Sequence, residues 1–170
     1  VLGENSVLTS LMSVIAVTEA IGRNLEQLEL VARRTNHSLV FSFFNGESLS
    51  LVGSGRTVFD MLDGTFPVKI QDFKPDMRLI GIDDVDVFLE VQTISASPKF
   101  FAHVDGHSYF KSSKEIIDKL VLAANHKLKK DGYNTTVLFP SNLTEYSQIP
   151  SSSLQSFLAK RRNIAGTVIA

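Results

Sequence analysis

Cysteine is absent from the chain, which removes disulfide staples, thiol redox chemistry and thiolate metal sites, although it assigns no compartment by itself. An excess of charge of one sign is missing too. The 17 Lys and Arg residues almost balance the 18 Asp and Glu, for a net charge of −1. No basic face or basic-aromatic interleaving stands out, so nucleic acid is not an expected partner. Long apolar runs are lacking as well. The first apolar stretch is interrupted by Thr9, Ser10, Ser13, Thr18 and Glu19, well short of the roughly 20 residues that a membrane span needs. There is no internal repeat, and the nearest thing to low complexity is the loop Tyr146–Ser153. The 170 residues suit one domain, which would bury about 70% of the surface its unfolded chain exposes. The chain opens at Val1 without Met and closes on the apolar strand pattern Gly166–Ala170, so a longer parent truncated at both ends is expected.

What is present reads as alternating helices and strands. Ser6 to about Arg23 is apolar on most of its circumference, with Val7, Leu8, Leu11, Met12, Val14, Ile15, Val17 and Ile21, the pattern of a helix inside a larger body. A shorter helix follows from Leu25 to about Arg34, then a turn at Asn36. Ser38–Phe44 reads as a buried strand, and a helix should start after Glu47 and run to about Leu62, before Asp63-Gly64. Residues 68 to 85 read as loop with a strand near Arg78–Ile82. Further strands are expected over 87–94, 100–104, 135–139 and 165–170. Ser112-Ser113-Lys114-Glu115 has the form of a capping box. It should open a helix striped with Ile116, Leu120, Val121, Ala124 and Leu128, ending at Lys129-Lys130-Asp131-Gly132. Ser151 to Arg162 reads as a serine-capped helix with Leu154, Phe157 and Leu158 inward. The alternation argues for a layered α/β domain with a mostly parallel sheet.

One position carries the chemistry. Glu47 follows the tight turn Asn45-Gly46 at the expected C-terminal end of a strand, the edge where open α/β sheets bind ligands. The bland alternative is a carboxylate favoured by the helix dipole, typically worth about 0.3–1 kcal/mol. His103, Asp105 and His107 share a face if the strand continues, which could in principle hold one metal. Gly106 breaks that alternation, and surface polarity at a strand end is the plainer reading. Lys160-Arg161-Arg162 closes a helix where cations are favoured anyway and reads as a solvated helix end. Gly53-Ser54-Gly55-Arg56-Thr57 lacks the lysine and spacing of a phosphate loop, so close packing of the helix against the sheet is the better account. Three sequons occur, at Asn36, Asn134 and Asn142, and they matter only in a secreted context.

The stretch Phe43-Phe44-Asn45-Gly46-Glu47-Ser48-Leu49-Ser50-Leu51-Val52-Gly53-Ser54 resembles the Phe-Phe-Gly-Ala-Glu-Glu motif of the di-zinc aminopeptidases and the Leu-Gly-Leu-Leu-Gly-Ser that follows it. In that family the first glutamate is the general base and the second binds zinc. Glu47 holds the first position, and Ser48 replaces the second. At the strand where those enzymes place a metal-binding aspartate this chain has Gln92, a poor zinc ligand beside a carboxylate. The bridging aspartate falls at Glu4 or Asn5, and the two family histidines lie beyond this sequence. The chain is also similar to the nicastrin family of γ-secretase subunits. Ser6–Ala20, Phe44–Glu47, Gly53–Met61, Gly64–Val68, Val85–Gln92, Pro150–Leu158 and Asn163–Gly166 carry that likeness. The Asp-Tyr-Ile-Gly-Ser of animal members is Ser50-Leu51-Val52-Gly53-Ser54 here, so the acid and the phenol are missing.

The resemblance implies an aminopeptidase-like three-layer sandwich, incomplete in this chain. It implies no cofactor and no catalysis, with residues 1–170 forming part of a single lumenal or extracellular domain of a single-pass membrane protein. Presenilin and the other γ-secretase membrane subunits would be its partners, and type I membrane protein stubs would be the substrates that it admits or obstructs. Glu47 would then contact a substrate's free amino end or organise the old cleft. A zinc-dependent aminopeptidase with a degenerate ligand set is the alternative.

Overall fold

The computed structural model describes residues 7–68, 78–92, 94 and 97–170. It divides into two compact units, Val1–Phe43 with Val91–Ala96, and Phe44–Glu90 with Ser97–Ala170. None of the described helices is long and apolar enough to cross a membrane.

The first unit holds α1 (Val7–Gly22) and α2 (Leu25–Thr35), close to the bounds expected from periodicity; Ser6 lies outside the described residues. In α1 the hydroxyls of Ser13 and Thr18 donate to the carbonyls of Thr9 and Val14, each at 2.8 Å, which satisfies them without a tertiary partner. Helix α2 ends where Asn36 takes the left-handed conformation at φ 55° and donates its N–H to Ala32, a C-terminal geometry that asparagine tolerates. Neither helix has a buried residue among those described.

The second unit contains α3 (Val52–Leu62), a 3₁₀ turn at Ile82–Asp84, all but the last residue of β1 (Val87–Val91), β2 (Lys99–His103), α4 (Gly106–Ser108), α5 (Lys114–Lys130), β3 (Thr136–Leu138), α6 (Ser153–Leu158) and β4 (Ala165–Ile169). The strand order is β1-β4-β2-β3. Strand β2 pairs parallel with β3, setting Phe100 opposite Val137. It pairs antiparallel with β4, setting Ala102 opposite Ile169 and His103 opposite Val168. The sheet is therefore mixed rather than mostly parallel. Helix-strand alternation sets the order of elements, but tertiary anchors set their direction. Gly106 donates to the carbonyl of Ser147 at 2.8 Å, Ser108 Oγ donates to the carbonyl of Arg162, and Arg162 pairs with Asp105 at 3.2 Å. These contacts pin the chain just before β4 to the C-terminal end of β2, so β4 can only run back along it.

Helices cover both faces. Ala102, Val137 and Ala165 pack with Ile117 and Val121 of α5 on one side, while Val168 packs with Leu154 of α6 and Ile149 on the other. Phe157 of α6 joins Val58 and Met61 of α3, Ile82 and Ile164 in a further cluster.

Four local expectations change. Ser38–Phe44 forms no strand, and Leu39, Val40 and Phe43 are more than half exposed. β-branched and aromatic residues fit a strand only where a ladder and a covering layer exist. Arg78–Gly81 is irregular and leads into the 3₁₀ turn; the rest of the expected loop, 69–77, lies outside the described residues, as does Thr93 of the strand expected over 87–94. The capping box at Ser112–Glu115 does not form. The helix already begins at Asp105, whose carboxylate accepts the N–H of Ser108, and it passes through a π turn at Tyr109–Ser113 into α5. Ser112 and Ser113 donate instead to the carbonyl of Ser108. The buried stripe of α5 is Ile117 and Val121 with Ala124 and Leu128, whereas Ile116 and Leu120 remain exposed at 43% and 39%.

Candidate functional site

The turn Asn45–Leu51 is built by left-handed residues. Gly46 has φ +76°, and Ser50 and Leu51 have φ 60° and 58°, a conformation uncommon for non-glycine residues. Leu49 donates to the carbonyl of Gly46, and Leu51 to that of Glu47, each at 3.0 Å. The helix expected from Glu47 therefore starts only at Val52. Gly53 lies so close to the turn that a Cβ there would sit 2.3 Å from the carbonyl oxygen of Asn45 and 3.0 Å from Glu47 Oε1. Gly53 thus packs against the Asn45 turn rather than against the sheet, and Gly55 packs closely against nothing.

Within this turn Glu47 serves two helices. Oε1 accepts the N–H of Ser54 in the first turn of α3 at 2.8 Å, where the capping position itself, Leu51, has no side chain able to do so. Oε2 accepts the hydroxyl of Ser153, the first residue of α6, at 2.6 Å. Partial burial would raise the carboxyl's pKa, but the Ser153 hydroxyl and the Ser54 amide outweigh it and hold Glu47 below the usual carboxylate range. Ser54, fully buried, lies 2.8 Å from Ser156 Oγ. Glu90 of β1 adds a second carboxylate. Its oxygens accept the N–H groups of Ser153 and Leu154 at 3.2 and 3.0 Å. The helix expected from Ser151 begins at Ser153, and Ser152 before it caps nothing with its side chain, its hydroxyl being buried with no hydrogen-bond partner. Phe157 backs the site, 4.7 Å from the ring of Phe88 and 6.0 Å from that of Phe44.

Sequence reasoning singled out Glu47 and missed Ser54, Glu90, Ser153 and Ser156. Glu90 and the serines lie inside the segments that carry the family likeness, which was the available signal.

The other candidates disperse. Ser48 is exposed on the turn, and Gln92 follows β1, in the other unit from Glu47; Glu4 and Asn5 lie outside the described residues. Two zinc ions would need several anionic or imidazole donors, and this turn offers one carboxylate with both oxygens hydrogen-bonded beside a neutral hydroxyl. Among the described residues the site holds two carboxylates, Glu47 and Glu90, both already hydrogen-bonded. Among the described residues no three His, Cys, Asp or Glu side chains are grouped to hold an ion. His103 ends β2, and burial lowers its pKa. Asp105 is committed to Ser108 and Arg162, which hold it ionised against its own burial. His107 stands 3.8 Å from Glu145.

Of the basic triplet, Lys160 and Arg162 are exposed, as a solvated end would be, and Arg161 is not. Helix α6 stops at Leu158, and Arg161, only 20% exposed, donates to the carbonyls of Ile82 and Val85 near the 3₁₀ turn. Asn36, Asn134 and Asn142 are all exposed, the first at the end of α2, the second just before β3 and the third in a turn.

Comparison with known proteins now bears on the whole chain. It is 31% identical over 170 residues to nicastrin of Caenorhabditis elegans, covering 99% of this chain and 23% of that protein. It is 29% identical to the nicastrins of Rattus norvegicus and Homo sapiens, covering 99% of the chain and 21% of each relative. The chain thus spans less than a quarter of these relatives. The family model described as the nicastrin large lobe matches residues 1–170, and the chain belongs to the nicastrin family.

Proposed function

We propose that the chain is part of a non-catalytic, aminopeptidase-like domain of a γ-secretase subunit that helps select type I membrane protein stubs and assemble the complex. In this reading residues 1–170 belong to one lumenal or extracellular domain of a single-pass membrane protein, with presenilin and the other membrane subunits as partners. Family membership over the full chain supports the assignment. The single observation that carries the role of the turn is Glu47, an ionised and partly exposed carboxylate held by Ser54 and Ser153. The Ser54 hydroxyl and the Gly53 amide add to those donors, and a further donor would approach the carboxylate from its partly exposed side. A substrate's free amino end is the donor that fits, because a hydrogen bond to a charged group contributes about 1.5–3 kcal/mol. Ser48 and Gln92 mark where a metal-binding ancestor's ligands were replaced. Asn36, Asn134 and Asn142 are proposed glycan acceptors, each on exposed backbone.

The test is Glu47→Gln in the complete subunit assembled in its membrane complex, with cleavage compared for a short-ectodomain stub bearing a free and an acetylated amino terminus. The wild-type complex should prefer the free end, and the variant should lose most of that preference while still assembling. Equal handling of both ends by the wild type would overturn the reading, as would hydrolysis of amino-acid amides by the isolated subunit.

A further inference from the structure

Glu47 does not aim itself. Its two closest donors differ in kind: a backbone N–H from Ser54, fixed by the geometry of α3, and a rotatable hydroxyl from Ser153, with the Ser54 hydroxyl and the Gly53 amide adding to them. The second donor is in turn held in place from elsewhere. Glu90 spans the N–H groups of Ser153 and Leu154 with its two oxygens, and Leu154, fully buried, wedges against Gly166, where a Cβ would come within 2.6 Å of its side chain. A continuous path therefore runs from β1 through the first turn of α6 to the carboxylate on the turn before α3. We infer that Ser153, seated by Glu90, is a positioning residue for Glu47, setting which lone pairs of its carboxylate face an incoming ammonium group. The inference rests on the reading of Glu47 as a contact for a free amino end.

Two roles for Ser153 give different results. A purely structural serine would matter for its size, whereas a positioning hydroxyl matters for its O–H. Threonine and valine at 153 share a shape and differ only in that hydroxyl. In the assembled complex Ser153→Thr should keep the preference for a free over an acetylated amino end, and Ser153→Val should reduce it by roughly three- to tenfold, in keeping with one hydrogen bond to a charged acceptor. Because the lost O–H stabilises the ionised carboxylate, the pH at which the preference fades on acidification should also move upward in Ser153→Val. A preference and pH profile in Ser153→Val equal to those of Ser153→Thr would overturn the positioning role. A control with Glu47→Gln separates the two failures: if Glu47→Gln abolishes the preference while the valine variant retains it, the inference fails and the reading of Glu47 stands. If Glu47→Gln also retains it, the reading itself has failed.

Discussion

Glu47 joins residues far apart in the chain, since its bond to Ser153 spans 106 positions. That distance explains what was legible. A lone carboxylate after Asn-Gly and before an apolar run can be seen in one window of sequence, and so can the glycine that the turn needs at position 46. A hydroxyl arriving from another helix cannot, because no local period links them. The same bonds carry a pH dependence. The folded-state pKa of Glu47 is lowered, so its contribution to stability is full above the unfolded value of about 4.3. That contribution is lost as pH falls through the folded value. Glu47→Gln should therefore lower the unfolding midpoint of the intact protein at neutral pH, and the gap between variant and wild type should close as the pH is taken well below 4. Midpoints in urea across that range measure it, and a gap that widens on acidification would contradict the assignment.

Helix ends show most plainly how an element's pattern can mislead. Ser112-x-x-Glu115 satisfies the capping pattern, yet the chain is already helical there because Asp105 has capped it seven residues earlier and a π turn carries it through. The competing signal, an aspartate just beyond a strand with Gly106 after it, read more simply as the end of that strand. Asp105 has further work, since it also accepts the Ser108 hydroxyl at 2.7 Å and pairs with Arg162, which fixes the direction of β4. Asp105→Ala should therefore cost about 1–2 kcal/mol, as loss of a helix cap does. Ser112→Ala should stay within about 0.5 kcal/mol, the range of an ordinary surface change. Thermal unfolding of the two variants side by side decides the point, and an equal loss would restore the capping box. Helices α1 and α2 and the cores of the strands were readable because their signals are local. The Ser38–Phe44 strand and a mostly parallel sheet were not, because ladders and directions depend on partners that composition does not specify.

On the scale of the molecule, apolar burial is unevenly distributed between the two units. Among the described residues the apolar clusters lie in the second unit, with Ile117, Leu154, Ile164 and Val168 fully buried. The described helices of the first unit bury nothing completely and leave Met12, Ile15 and Leu30 more than half exposed. Apolar burial is the main term that offsets chain entropy, so within the second unit opening of α5 should approach global unfolding. Hydrogen exchange on the intact protein ought to show the amides of α5 around Ile117 and Val121 among the last in the second unit to exchange. Ile117→Ala should cost about 2–5 kcal/mol, the range for emptying a core site, and should speed exchange across α5 and the paired strands together. Leu120→Ala, one turn along but on the exposed face, should cost less than about 1 kcal/mol. Equal penalties at 117 and 120 would contradict the assignment of the buried face of α5.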